Sequence, residues 1–187
     1  MGNTFYLDMD GVVADFDSAA EAALGIERRS QPVDGHNKLT RSEWDILIQN
    51  QRLYRDLPLM HRANELVGIA RLYRDQLGYQ LRFLTAVPKA NDCPWAFYDK
   101  VMWAQERFSD IPVHFGPYSV DKYRHCRPGD ILVDDRTDNC NSWRDANGWA
   151  IQVKGRNLYE AITILRNEYE RRISLSRMRE LNTQIKS

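Results

Sequence analysis

The reading of the fold turns on the run Thr4-Phe5-Tyr6-Leu7-Asp8-Met9-Asp10-Gly11. Four strand-favouring residues stop abruptly at two carboxylates and a glycine, as a buried parallel strand stops at its loop. On a continuing strand Asp8 and Asp10 would share one face and repel each other, so the pair needs a cause. If the strand ends at Asp8 and the chain turns at Gly11, both carboxyls and the intervening N–H groups converge on one point. A divalent cation with a phosphate suits that point: one carboxylate ligates the metal and attacks phosphorus, while the other handles protons. Two solvated loop aspartates are the plain alternative. An EF-hand fails on spacing, because its glycine belongs at loop position 6 and Gly11 would stand at position 4.

Working outward, the same abrupt ending recurs. Leu81-Arg82-Phe83-Leu84 stops at Thr85-Ala86, and Ile131-Leu132-Val133 stops at Asp134-Asp135. Weaker strand patterns at Val113-His114-Phe115 and from Trp149 to Val153 complete a set of about five. Helical patterns lie between them. Ala63, Leu66, Val67, Ala70, Tyr73 and Leu77 recur at i, i+3, i+4 spacing and stop at Gly78. Pro94 is expected to open a second helix, a third runs from near Asp138 to Gly148, and Asn157-Leu158-Tyr159-Glu160 starts a long last one. This alternation predicts an α/β fold, a doubly wound, Rossmann-like parallel sheet with its ligand at the carboxyl ends of the strands.

One stretch breaks the alternation. From about Asp17 to Met60 no strand pattern appears, whereas Ser18 to Leu24 is alanine-rich and Thr40-Arg41-Ser42-Glu43 is a capping box. The expectation is a helical insertion over 17–60, placed after the first strand, with 1–16 and 61–187 forming the core. Ser30 to Leu39 matches no pattern.

Asp134-Asp135-Arg136 is the second acidic feature, and a cation would relieve the repulsion of its two adjacent acids. A strand end followed by helix-capping acids reads equally well, with Asp138 as a pure cap. Thr85 at a strand end and Lys122 in a loop are weak alone. They gain meaning as the hydroxyl and the point charge that a phosphoryl group's remaining oxygens need.

Composition excludes several classes. The 187 residues suit one domain, or one carrying an insertion, at about 150 residues per domain. With 26 Lys+Arg against 26 Asp+Glu there is no global basic field, so neither a nucleic acid polymer nor an anionic membrane surface is an expected partner. The apolar runs are far short of the roughly 20 residues a membrane span needs. The Met1-Gly2-Asn3-Thr4 start lacks a signal-peptide pattern, and Tyr6 stands where myristoylation wants Ser or Thr, so a cytoplasmic protein is expected. Cys93, Cys126 and Cys140 suggest neither disulfides nor a zinc cluster, and the four histidines show no paired ligand spacing.

Taken in order, DMDGVVADFD, LTA, DKYRH and ILVDDR resemble the haloacid-dehalogenase (HAD) phosphohydrolases from Thr4 to about Val153. Asp8, Asp10, Phe16 and the D-D-R run look like the 5′(3′)-deoxyribonucleotidase group. The resemblance implies that Asp8 is a nucleophile forming an aspartyl-phosphate. Asp10 would protonate the leaving oxygen and then activate water, and Thr85 and Lys122 would bind phosphoryl oxygens. Mg²⁺ would be held by the Asp8 carboxylate, the Asp10 carbonyl and Asp134, with Asp135 beside or behind them. Phe16 would meet the base of a nucleoside monophosphate, with Arg136 also on the substrate side. The insertion would be a cap excluding bulk water, and the resemblance leaves room for a homodimer. The same residues would equally serve a HAD phosphatase for another metabolite, such as a sugar phosphate. A binding protein of this fold that has lost turnover is a further alternative, against which the retained Asp10 argues.

Overall fold

Five short segments, Thr4–Leu7 (β1), Gln80–Thr85 (β2), Val113–Phe115 (β3), Ile131–Asp134 (β4) and Trp149–Gln152 (β5), hydrogen-bond into one parallel sheet of order β3-β2-β1-β4-β5. The structure is a computed structural model and describes residues 2–26, 39–88 and 93–184. The chain winds outward from β1 through β2 to β3, then returns to β4 on the other side of β1. The order therefore reverses between β1 and β4, the place where a doubly wound sheet opens a crevice at its carboxyl edge. Leu7 lies opposite Val133 there, so Asp8 and Asp134 end neighbouring strands. This is the α/β class expected from the sequence.

Alternation along the strands sorts the core into two clusters. Phe5, Leu7, Phe83, Ile131, Val133 and Ile151 face one side, and Tyr6, Leu84, Leu132 and Ala150 the other. Right-handed crossovers in the two winding directions put helices on opposite faces. Ala63–Leu77 (α3), Ala96–Arg107 (α4) and Tyr159–Gln184 (α6) join the first cluster, through residues such as Leu66, Trp103 and Ile162. Thr137–Asp145 (α5) covers the second face with Cys140 and Trp143, whose indole meets the Tyr6 ring edge-on at 5.3 Å. A 3-10 helix, Ser119–His125, packs beside α5.

Among the described residues, two helices stand between β1 and α3, Phe16–Leu24 (α1) and Arg41–Leu47 (α2). Asp15 caps α1, accepting from the Ser18 N–H at 3.0 Å, and the Thr40–Glu43 capping box opens α2. The outgoing and returning chains are tied side by side: the Asp15 N–H donates to Pro58 O at 2.8 Å and the Met60 N–H to Val13 O at 3.0 Å. Arg156, after β5, grips α1 through Asp17 at 3.2 Å and Glu21 at 2.6 Å. Leu47, Leu53, Tyr54 and Leu57 bury themselves in the first-face cluster, so the inserted segment shares the core rather than building its own.

Element boundaries differ from the sequence reading at three places. Cys93 O accepts from the Ala96 N–H at 2.9 Å, which puts Pro94 in a tight turn and delays α4 to Ala96. α5 starts at Thr137 with Arg136 at its N-cap, so Asp138 is an exposed first-turn acid favoured by the helix dipole and not the cap. Lys122 sits within the 3-10 helix rather than in a loop. The unassigned stretch from Ser30 to residue 38 lies outside the described residues. None of the described helices is long and apolar enough to cross a membrane.

Candidate active site

The site grows from the turn that follows β1. Met9 O accepts from the N–H groups of Val12, Val13 and Ala14, and the Gly11 N–H donates to Ala14 O at 2.8 Å. This turn needs glycine twice over. Gly11 has φ +75°, and a Cβ built on it would stand 2.5 Å from Asp135 Oδ2. The tight turn therefore brings the first acidic pair against the second.

Asp8 is buried, and its Oδ1 accepts from the Met9 N–H at 2.7 Å. Lys122 Nζ, also buried, donates to Asp8 Oδ2 and to Asp134 Oδ2, both at 2.7 Å. The 3-10 helix presents Lys122 where β3 ends; a Cβ on Gly116 would meet the Lys122 backbone at 3.1 Å, so that approach also depends on glycine. Asp134 Oδ1 accepts from the Arg136 N–H at 2.9 Å and from Asn139 Nδ2 at 2.9 Å. One carboxylate oxygen from each of Asp8, Asp134 and Asp135 lies within 4.8 Å of the others.

Three carboxylates against one ammonium leave an excess of negative charge out of water. Burial pushes the Asp8 carboxyl from 3.8 up to about 7; Lys122 resists the rise, while Asp134 and Asp10 add to it. Burial, then Asp134 and Asp8, also raise Asp135 well above the usual carboxylate range. Burial alone would lower Lys122, but Asp134 and Asp8 outweigh it and hold the ammonium charged. A hard divalent cation with oxygen ligands would relieve this excess, and Mg²⁺ fits the all-oxygen donor set.

Asp10 faces the same crevice from the other side. Its Oδ2 pairs with Lys100, while its Oδ1 is buried without a hydrogen-bond partner among the described residues. Lys100 Nζ donates in addition to Thr85 Oγ1 at 3.0 Å and lies 4.8 Å from the Tyr54 ring centroid. The Thr85 hydroxyl thus turns toward Lys100, with only a long 3.5 Å bond onward to Ala86 O. Asp8, Asp134, Asp135 and Lys122 are in one cluster, and Asp10 and Thr85 are joined through Lys100.

The two candidates on the substrate side are placed differently. Phe16, at the start of α1, stacks on Tyr54 with ring centroids 5.8 Å apart and leans on Trp44 at 5.9 Å. Part of its ring remains exposed. Arg136 follows the acidic pair, and its Nε is buried without a partner among the described residues.

Sequence reasoning missed Lys100 and Asn139, yet both carried a signal. Ala96, Asp99, Lys100, Trp103 and Ala104 form the buried stripe of α4, so a lysine stands on the apolar face of a helix. Asn139 sits likewise among Cys140 and Trp143 on the buried side of α5. A polar residue on an inward stripe requires a polar partner; here the partners are Asp10 with Thr85, and Asp134.

No protein-family model and no curated protein matches the chain. Among solved structures, a hydrolase from Pseudomonas syringae is similar over 81% of this chain and 84% of its own, with 12% identity and a TM-score of 0.43. At that level of likeness the fold rests on this chain's own sheet and the chemistry on the residues above.

Proposed function

We propose that this protein is a Mg²⁺-dependent phosphatase of the HAD type that hydrolyses small phosphomonoesters, nucleoside monophosphates foremost, through an aspartyl-phosphate on Asp8. The observation that carries the proposal is the convergence of the Asp8, Asp134 and Asp135 oxygens on one point beside Lys122. A structural acid cluster would not need a second, separately managed carboxylate, and Asp10 with its Lys100 partner supplies one.

Asp8 and Asp134 would hold the cation, with Asp135 beside them and the Asp10 carbonyl at the turn. When bound, the cation offsets the charge of the carboxylates and of the phosphoryl oxygens. Asp8 attacks phosphorus as the carboxylate, the ester P–O bond breaks, and the leaving oxygen takes a proton from Asp10. Asp10, now a carboxylate, removes a proton from water that attacks the phosphorus of the acyl phosphate; inorganic phosphate leaves and Asp8 is restored. Lys100 holds Asp10 at the crevice and keeps its charge compensated between the two half-reactions. Lys122 orients Asp8 and, with Thr85, faces the phosphoryl oxygens. The inserted segment would serve as the cap that keeps out bulk water, which would strengthen these interactions.

The substrate side rests on Phe16, a half-buried aromatic at the root of the insertion that packs with Tyr54 and Trp44 and would offer a base an aromatic surface. A phosphate-release screen over ribo- and deoxyribonucleoside monophosphates, sugar phosphates and an aryl phosphate, with Mg²⁺ and with EDTA, tests the reading. Turnover of nucleotides that needs Mg²⁺ is expected. Turnover confined to sugar phosphates would move the substrate and leave the chemistry, and turnover of none would refute both.

A further inference from the structure

The second face of the sheet is covered only in part. α5 lies over β4 and β5 and the 3-10 helix beside it reaches β2, whereas between the end of that helix and the β1, β2 and β3 residues the face opens into a groove of about 480 Å³. A parallel sheet ordinarily carries apolar residues on both faces. Here β2 and β3 present Gln80, Arg82 and His114 instead, and the end of the 3-10 helix adds Arg124, His125 and, just beyond, Arg127.

Among the described residues no carboxylate lines this groove. Asp130, which acts on the neighbouring Tyr6, already accepts from the Thr4 N–H at 2.7 Å and the Arg127 N–H at 3.0 Å. Asp121 meets Arg124 at 3.1 Å within the 3-10 helix itself. Arg82 is held in place: one guanidinium nitrogen donates to Gln80 Oε1 at 2.6 Å and another faces the His114 ring. His114 stands edge-on to His125 with centroids 6.4 Å apart, and His125 likewise to Tyr6 at 6.4 Å. Burial, and then Arg82 and His125, hold His114 below its ordinary range, as crowding of cationic groups should.

We propose that this groove is a second binding site, for a phosphate-type oxyanion on a small molecule, with Arg82 as its anchor and His114, His125 and Arg124 around it. A preorganised guanidinium fork matches two oxyanion oxygens at once, and the volume is that of a small-molecule site. Its histidines and Cys126 form no group of three converging metal ligands among the described residues, so the surplus of cationic side chains sets its preference. It is separate from the acidic crevice. None of Asp8, Asp10, Lys122, Asp134 and Asp135 lines it, and Thr4 and Tyr6 in its wall lie four and two residues before Asp8, about 13 and 7 Å along the strand at about 3.3 Å per residue.

The test is an NMR titration of the full-length protein, histidine-labelled with ¹⁵N, in EDTA. One arm uses inorganic phosphate, a second glycerol phosphate, and sulfate serves as the comparison. Saturable shifts of the His114 and His125 ring nitrogens are expected, with the His114 titration midpoint moving up as the anion joins Arg82, Arg124, Arg127, His125, Tyr6 and Asp130 around it. The arm that saturates at lower concentration tells whether the free or the esterified anion is preferred. Arg82→Gln should weaken binding about tenfold or more, and Arg124→Gln, at the exposed rim where folding is not at stake, a few-fold. No saturable shift in either phosphate arm would overturn the proposal. So would shifts that phosphate and sulfate cause equally and only at tens of millimolar, roughly the range of unspecific surface charge, or binding that survives both substitutions.

Discussion

Replacing Asp8, the proposed nucleophile, should make the metal-free protein more stable, and only above acid pH. Asp8 is buried, and its carboxyl rises from 3.8 to about 7. At about 1.4 kcal/mol for each pH unit, holding it ionised in the fold costs about 4 kcal/mol. That figure is a ceiling, because Asp134 and Asp135 share the strain and relax together. The sign follows from linkage: a carboxyl whose folded value lies above its unfolded one contributes full stability below about pH 4, and loses it as pH rises through about 7. Asp135 shifts in the same direction and adds to the fall. Asp8→Asn mimics the protonated acid at every pH. Urea unfolding in EDTA should therefore find the variant level with wild type near pH 4 and more stable by about 2–4 kcal/mol at pH 8. Mg²⁺ should narrow the gap by stabilising the wild type more. Equal stabilities at pH 8 in EDTA, or a gap that persists unchanged near pH 4, would refute the claim that these carboxylates are held against one another.

Asp10→Asn should cut kcat about 10²–10⁴-fold, while a thermal shift still registers Mg²⁺, since the backbone carbonyl is untouched. Lys100→Met should lower kcat about tenfold or more and leave the Mg²⁺ shift in place, because the lysine contacts Asp10 and Thr85 but none of the three clustered acids; a variant with wild-type kcat would remove Lys100 from the site. Gly11→Ala should destabilise by about 1–3 kcal/mol and abolish the Mg²⁺ shift in the same melting curves, as its methyl group meets Asp135. Phe16→Ala should raise KM for a nucleoside monophosphate more than for an aryl phosphate, by an amount set by about 1–3 kcal/mol of lost stacking; equal losses on both substrates would make Phe16 a packing residue only.

Features written in consecutive residues are legible in the sequence itself. The Thr4–Gly11 run carries its own strand, its own stop and the glycine that the turn demands, so period and chemistry agreed. The same holds for Ile131–Asp135 and for the Thr40–Glu43 box. Lys100 was not legible from neighbours in sequence: its partners lie 90 and 15 residues away, on the turn after β1 and at the end of β2. It became visible only as a charge on the buried stripe of α4. Asn139 stands in no motif of its own beside Asp138, which reads as a cap outside the site; its role follows from the tertiary environment of Asp134, which needs an amide donor. The helix starts at Ala96 and Thr137 slipped by a residue or two because local turn bonds, invisible to periodicity, set where helical geometry begins.

The backbone bonds from Asp15 to Pro58 and from Met60 to Val13 close the inserted segment at its neck. A loop whose ends are already pinned together can change length at small entropic cost, about 0.6 kcal/mol for each doubling. Lineages of such a chain are therefore free to lengthen, shorten or exchange everything beyond the neck while the turn carrying Asp8 and Asp10 stays in register. Constraints that remain are Ala20, Leu47, Leu53, Tyr54 and Leu57, whose burial in the shared core any replacement must reproduce, and the grip of Arg156 on Asp17 and Glu21. On the function proposed above, chemistry and substrate choice would then sit on segments that can evolve at different rates, and a graft made between Asp15 and Pro58 would be the route to redesigning what this crevice accepts.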